Sequence, residues 1–265
     1  MLDFYDAHVR GLPDPLPAGV TVEPDGPLLR LVGGHRGFVA APADLTGVRG
    51  ADLDALIARQ RDRFAGLGQA VEWKTHGHDR PADLPDRLRA AGFEPEDEET
   101  VLLAPAADLA AEPVLPGGVV LRRVAERADL ERVAAFQSAV WGDDWAWLAD
   151  DLAARLAADP EGTAVLVAEA AGEVVCAAWL VARPSQGHAG LWGGSTLPAW
   201  RGRGIYRATV AERARLAVAL GVRHLQVDAS ADSAPILRRL GFTAVTTTTP
   251  YVWTPPAAPV TTGQI

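Results

Sequence analysis

The stretch Leu191–Ala208, LWGGSTLPAWRGRGIYRA, holds the residues whose types and spacing point most directly to chemistry. A strand-like pattern ends at Leu197-Pro198, a loop of arginine and glycine follows, and a helical pattern starts at once. A helix start leaves several backbone N–H groups without intrahelical partners, all directed at one spot. The helix dipole favours an anion there, and Arg201, Arg203 and Arg207 add full positive charge. Gly202 and Gly204 let the backbone approach a ligand closely. This predicts a phosphate or pyrophosphate site, and the plain alternative is a solvated, arginine-rich turn. Neither the Gly-Lys-Ser/Thr ending of a nucleotide P-loop nor the G-x-G-x-x-G of a dinucleotide fold occurs here.

Other candidates carry two readings each. In Gln226-Val227-Asp228-Ala229-Ser230, strand alternation puts Gln226, Asp228 and Ser230 on one face. A carboxylate in a central strand is costly unless paired, so Asp228 is either a structural ion pair or a site residue. His188 is the one titratable side chain in residues 186–197, and reads as a strand-start surface residue or as a base. Asp143 and Asp144, in Trp141-Gly142-Asp143-Asp144-Trp145-Ala146-Trp147, either cap a helix or border a pocket. Seven of the eight tryptophans follow residue 140, and Trp141, Trp145, Trp147 and Trp192 together could line an apolar or aromatic site. His76, His78 and Asp79 read as a polar loop after a strand, not as a metal site, and no metal is expected. The single cysteine, Cys176, excludes an internal disulfide and sits in an apolar run as a small hydrophobe.

The elements that position these residues follow from periodicity. In the second half Val119–Arg123 alternates as a strand, and Ala128–Val140 and Trp145–Ala157 are helical. Ala164–Ala170 and Val174–Ala182 form a hairpin, and His188–Leu197 is a strand. A long helix spans about 204–219, Val222–Ala229 is a strand, Ser233–Leu240 a short helix, and Ala244–Trp253 the last strand. The first half echoes the end of this order, with a helix at Ala51–Ala65, a strand at Ala70–Lys74, a helix at Leu84–Ala91 and a strand at Thr100–Ala104. Leu88-Arg89-Ala90-Ala91-Gly92-Phe93 matches Leu237-Arg238-Arg239-Leu240-Gly241-Phe242 at an offset of 149, which favours duplication. Pro105, Pro113, Pro116, Gly117 and Gly118 punctuate residues 104–118 as a connection between domains 1–112 and 113–265.

Composition bounds the function. The 265 residues are 48% apolar and 22% charged, with a mean hydropathy of +0.04, as in a soluble globular protein. A net charge of −9 argues against nonspecific binding to nucleic acid or an anionic membrane. The whole imbalance lies in the first half, where 11 basic residues face 20 acidic ones; the second half has 14 of each. The run Glu94, Glu96, Asp97, Glu98, Glu99 is a solvated edge or an attractor for a cationic amine. No apolar run approaches membrane-spanning length and the N-terminus lacks the order of a signal peptide, so a cytoplasmic setting is expected.

Set between a strand with Pro198 and a helix, Arg201-Gly202-Arg203-Gly204-Ile205-Tyr206 resembles the signature of the GNAT superfamily of acyl-CoA-dependent acyltransferases. That signature is Arg or Gln, two variable residues, Gly, one variable residue, then Gly or Ala; Tyr206 departs at the last place. The likeness runs over about residues 117–254 and implies an α/β fold of mixed sheets flanked by helices. The matching first half would be a degenerate repeat, with Gly47-Val48-Arg49-Gly50 the nearest echo of the loop. By this resemblance the amides of residues 201–206 hold the CoA pyrophosphate, and pantetheine lies between the splayed strands His188–Leu197 and Val222–Ser230. An amide near Thr196 or Leu197 would polarise the thioester carbonyl, and an amine would attack directly without an acyl-enzyme.

Two usual residues are missing. The first splayed strand has no glutamate base, which leaves His188 and Asp228 as candidates, and Leu237 stands where a tyrosine often protonates the thiolate. Ser230, Ser233 or water would replace that tyrosine. The acceptor implied is the amine of a small molecule or peptide, in a pocket bordered by Trp141, Asp143, Asp144 and Trp192. A non-catalytic acyl-CoA-binding or regulatory protein, another CoA-dependent reaction, and a homodimer all stay open.

Overall fold

A computed structural model describes residues 1–13, 16, 17 and 19–256. In chain order its elements are α1 (Leu2–His8), β1 (Thr21–Asp25), β2 (Leu28–Val32), β3 (Gly37–Ala40), α2 (Ala51–Leu67), β4 (Val71–His76), α3 (Leu84–Ala90), β5 (Glu94–Pro95) and β6 (Glu99–Pro105). There follow α4 (Ala106–Leu109), β7 (Val119–Val124), α5 (Arg127–Trp141), α6 (Leu148–Ala158), β8 (Thr163–Ala170), β9 (Glu173–Arg183), β10 (His188–Thr196), α7 (Ile205–Ala219), β11 (His224–Ala229), α8 (Ala234–Leu240) and β12 (Thr243–Trp253). The expected elements are all present to within a few residues. Residues 2–8, 21–40 and 106–109 carry additional short elements.

The described residues divide into two compact units, each discontinuous: those of 1–20 with 99–247, and 21–98 with 248–256. This differs from the expected division at 112/113. The reason lies in β6, whose Val101–Ala104 are fully buried and whose backbone pairs antiparallel with β11, from Thr100↔Ala229 to His224↔Pro105. A strand buried on both faces needs hydrogen-bonding neighbours, and β11 supplies one. Residues 106–109 of the proline-rich stretch are helical, and Ala106 belongs to the same core as α7.

In the larger unit β7, β8, β9 and β10 are antiparallel neighbours in chain order, β10 pairs parallel with β11, and β11 pairs with β6. One face carries α7 and α8 over Leu102, Leu180, Leu191, Leu225 and Val227. The other carries α5 and α6 over Val165, Val167, Ala177 and Trp179, with α1 placing Tyr5 on Val101 and Leu103. Alternation along β11 therefore turns Leu225, Val227 and Ala229 toward α7 and leaves Gln226 and Asp228 on the opposite face.

In the smaller unit β1, β2 and β3 form an antiparallel meander, β3 pairs parallel with β4, and the end of β12 (Thr248–Trp253) pairs antiparallel with β4. Leu53, Leu56, Ile57 and Phe64 of α2, Leu84 and Leu88 of α3, and Trp73 of β4 make its core. At about 1.5–3 kcal/mol for each large side chain removed from water, this stripe suffices to hold α2 on the sheet. The matched hexapeptides end their helices identically: Phe93 N–H bonds Leu88 O (3.0 Å) as Phe242 N–H bonds Leu237 O (3.1 Å). Gly92 and Gly241 N–H close the companion bonds to Arg89 and Arg238 O, the helix-ending arrangement that a glycine at this place permits.

Candidate active site

The site is built where β10 and β11 part. Their parallel ladder has three pairs, His188↔His224, Ala189↔Leu225 and Gly190↔Gln226, although β10 continues to Thr196 and β11 to Ala229. The separation coincides with a bulge in β10: Trp192↔Trp179 is followed by Ser195↔Ala177, three residues against two. Gly193 stands there at φ +58°, and a Cβ on it would lie 1.8 Å from the Trp179 ring. One extra residue keeps Trp192 and Ser195 on one face, the face of Trp179 and Ala177, beneath α5.

Beyond the bulge, Leu197 N–H bonds Val175 O at 3.0 Å. Antiparallel pairs alternate between bonded and non-bonded, so the preceding pair, Thr196↔Cys176, turns the Thr196 N–H and C=O away from β9, toward the gap. The Thr196 carbonyl there accepts from Arg201 Nε (3.1 Å). Of the two amides expected to polarise a carbonyl, Leu197's is engaged within the sheet and Thr196's faces the opening. Cys176 is fully buried beneath Thr196, whose Oγ1 lies 3.3 Å from its Sγ, and burial raises the thiol's pKa.

The arginine-glycine loop follows directly. Gly204 caps α7 in the left-handed region at φ +82°, and no side chain caps the helix. The first helical bond is Ala208 N–H to Gly204 O, so the N–H groups of Ile205, Tyr206 and Arg207 precede the helical ladder. Nothing lies within 4 Å of where a Gly202 Cβ would stand. Arg203 is stacked 4.7 Å over the Trp200 ring, and Arg207 is exposed beside Gly204. Tyr206, the departure from the signature, points inward: its ring comes to 2.6 Å from a Cβ placed on Gly194, and burial raises its pKa. The bulk at 206 is matched by the missing side chain at 194, and the Tyr206 amide stays at the helix start.

Trp192, Ser195, Gln226 and Asp228 all stand on the α5 face of β10 and β11. Gln226 Nε2 donates to Asp228 Oδ1 (2.6 Å). Trp141 Nε1 reaches Ser195 Oγ and Gln137 Oε1, both at 3.1 Å. Trp141 and Trp192 are large exposed hydrophobics, 54% and 43% accessible. Trp145 and Trp147 instead stack on each other (5.5 Å) and pack against the α5–α6 core, and Asp144 accepts from the Ala146 N–H (2.9 Å) with Asp143 exposed beside it. At the open end of β11 the Ser230 and Ser233 hydroxyls lie 3.2 Å apart. Leu237 is fully buried in the core, so no side chain reaches out from that position.

His188 is not part of this gathering. It starts β10 at the paired end, opposite His224, and eight residues at about 3.3 Å each separate it by about 26 Å from Thr196. It is 7% exposed, and burial, with Arg183 beside it, lowers its pKa to about 4. In the smaller unit Asp79 Oδ2 accepts the His76 backbone N–H (2.9 Å) and faces its Nδ1 (3.6 Å). Among the described residues no three His, Cys, Asp or Glu side chains are grouped as metal ligands, and no helix is long and apolar enough to cross a membrane.

Sequence reasoning missed Arg213, Gln137 and Ser195. Arg213 is fully buried on α7, with Nε bonding Thr209 O (3.0 Å) and Nη1 bonding both Trp179 O and Trp192 O (3.3 Å). Gln137 Nε2 bonds Gly193 O at 2.6 Å from the other face. The available signal was polar character on otherwise apolar helix faces, together with two glycines inside a strand.

The comparisons with known proteins agree with this geometry. Residues 127–242 match the model of the acetyltransferase (GNAT) family. The fold is similar to that of a GCN5-related N-acetyltransferase from Kribbella flavida (20% identity, 90% of each chain, TM-score 0.66). It is also similar to a GCN5-related N-acetyltransferase from Sphaerobacter thermophilus (21% identity, 89% of this chain and 79% of that one, TM-score 0.58). A tandem GNAT protein from the clavulanic acid biosynthesis pathway matches at 15% identity over 96% of this chain and 93% of its own, with a TM-score of 0.59. No relative is found among curated protein sequences. The segment 127–242, which carries the β10 bulge, the Arg201–Gly204 loop, α7 and the parted strand β11, is thus the part of the chain that is similar to the GNAT acetyltransferase family.

Proposed function

We propose that the protein transfers an acetyl or other short acyl group from acyl-CoA to an amine of a small molecule or peptide, by direct attack within a ternary complex. The observation that carries this reading is the juxtaposition at the end of β10: the unladdered N–H groups of Ile205, Tyr206 and Arg207, the loop arginines, and a strand that has left its neighbour. Residues 201–206 would hold the pyrophosphate and Thr196 N–H the thioester carbonyl. Asp228, on the same face as Trp192, would take the proton from the attacking nitrogen. As the N–C bond forms and the C–S bond breaks, the thiolate leaves as such or takes a proton relayed by Ser230 and Ser233. Trp141 and Trp192 would wall the acceptor.

The first half is proposed as a degenerate repeat without a CoA site. The start of α2, which follows the echo at residues 47–50, already has Asp52 and Asp54 in its first turn. Arg87 there is held by Asp54 (2.7 Å) and Asp83 (2.8 Å), and Arg49 Nε by Thr46 O (2.6 Å). An incoming phosphate would meet two carboxylates and no unpaired guanidinium at those arginines.

Gly204→Asp tests the cofactor site. An N-cap aspartate brings its own carboxylate to the anion site, at a strain of about 1–3 kcal/mol for a side chain held at φ +82°, so the fold should persist with lowered stability while CoA binding is lost. Undiminished CoA affinity would overturn the assignment. The missing glutamate and the buried Leu237 favour, as the second reading, a protein that binds acyl-CoA without turnover. CoA-thiol release with any member of a panel of amines, peptides and aminosugars eliminates that reading.

A further inference from the structure

The bulge in β10 is held from both faces by polar side chains that the proposed reaction does not otherwise use. A bulge leaves one residue unpaired and locally disrupts the ladder. Trp179 and Trp192 form the last regular pair before the break, and their two carbonyl oxygens are the ones that Arg213 Nη1 bonds, at 3.3 Å each. Arg213 Nη2 lies 3.5 Å from where a Gly194 Cβ would stand, so the guanidinium fits under the bulge itself. From the opposite face Gln137 Nε2 bonds the carbonyl of Gly193 at 2.6 Å, while its Oε1 receives Trp141 Nε1, which also reaches Ser195 Oγ. Trp192, Gly193 and Ser195 are thereby tied to two helices just before Thr196.

Burying a guanidinium is costly unless its donors are used. The three acceptors bonded to Arg213 are backbone carbonyls, and the titratable groups beside it are the Tyr206 phenol and the Cys176 thiol, both neutral at pH 7. An aliphatic side chain would fill this space at lower desolvation cost, but it would release the Trp179 and Trp192 carbonyls. Tyr206 links the clamp onward, because its ring packs on Gly194 while its amide belongs to the loop at the start of α7.

We propose that Arg213 and Gln137 are positioning residues that clamp the β10 bulge from opposite faces and so hold the Thr196 N–H toward the acyl carbonyl. The inference rests on the acyl-CoA reading of the site. A clamp of this kind acts on the geometry of the carbonyl and leaves the pyrophosphate contacts alone. A misplacement of about 1 Å at such a contact costs on the order of 100-fold in rate.

The test uses the full chain with acetyl-CoA labelled at the carbonyl carbon, read by isotope-edited infrared spectroscopy alongside calorimetric binding of free CoA. In the unmodified protein the bound carbonyl stretch should fall to lower frequency than in water. Arg213→Met, which keeps volume and removes the fork, should return the stretch toward its solution value while free CoA binds within about threefold of the original affinity. Should Arg213→Met fail to fold, Arg213→Lys and Gln137→Met carry the test, each expected to lose part of the displacement. A displaced carbonyl that stays displaced in every folded variant overturns the clamp and leaves the acyl-CoA reading intact. Failure of the unmodified protein to bind acetyl-CoA overturns both.

Discussion

His188 gives a prediction whose size follows from its surroundings. It begins β10 at 7% exposure, paired across the sheet with Arg183 of β9 and His224 of β11, with His8 of α1 also nearby. Burial first, then the positive field of Arg183, lowers its pKa from 6.5 to about 4. The unfolded chain therefore takes up this proton before the folded one does. Stability associated with His188 is full above about pH 6.5, declines as the pH falls, and is gone below about pH 4. The gap between 6.5 and about 4, at about 1.4 kcal/mol per pH unit, comes to about 3 kcal/mol. Replacing the imidazole in His188→Leu removes the titration and leaves the space filled. Urea unfolding of both proteins at intervals from pH 7 to pH 4 should show the unmodified protein losing about 3 kcal/mol relative to the variant. Parallel stability curves would refute the reasoning, because they would mean that the folded imidazole protonates as readily as the unfolded one. The same variant should keep acyl transfer at pH 7, since His188 stands a strand length from the gap.

Other predictions follow from single contacts. Gly193→Ala forces a Cβ to 1.8 Å from the Trp179 ring at a backbone angle that alanine resists. Differential scanning calorimetry should show a stability loss of about 1–3 kcal/mol from overpacking, and acyl transfer should fall further than that loss explains. Glu169 accepts from Arg122 (2.7 and 3.1 Å) and pairs with Arg132 (2.7 Å), which together hold its carboxyl at about 2. Glu169→Gln should cost about 1–2 kcal/mol at pH 7 once solvent screening is allowed for. That cost should shrink as the pH falls from 4.5 toward 2, and an acid-independent difference would count against the ion pair.

Sequence legibility followed the range of the interactions. The α7 helix, its glycine cap and the arginines before it are local, so spacing alone placed them. The helix ends at Gly92 and Gly241 were readable for the same reason. Residues 21–40 were not, because Pro24, Gly26, Gly33 and Gly34 interrupt strands of four or five residues and give alternation no length to register. The partner of β6 was invisible, since its pattern identifies a strand but not that its neighbour lies 120 residues later. Arg213 sits among Thr209, Ala214 and Ala217 on a face of small residues, where one arginine reads as solvent-facing until the carbonyls it serves are known. His188 was already placed at the start of a strand by the sequence; the structure adds that this is the end where β10 and β11 are paired, a strand length from the gap.

The strand exchange has a consequence for how the molecule is made. β6 precedes the proline-rich stretch yet completes the sheet beside β11, and Thr248–Trp253, near the other end of the chain, completes the sheet beside β4. When a ribosome has released the first 112 residues, β4 still lacks one edge partner, and β6 has none of its own. Neither sheet is complete until β11 and the Thr248–Trp253 part of β12 have also been made. The same arrangement makes residues 110–118 a place where the covalent backbone is dispensable in principle: fragments on either side hold each other's missing strand, and each would act as the template on which the other folds.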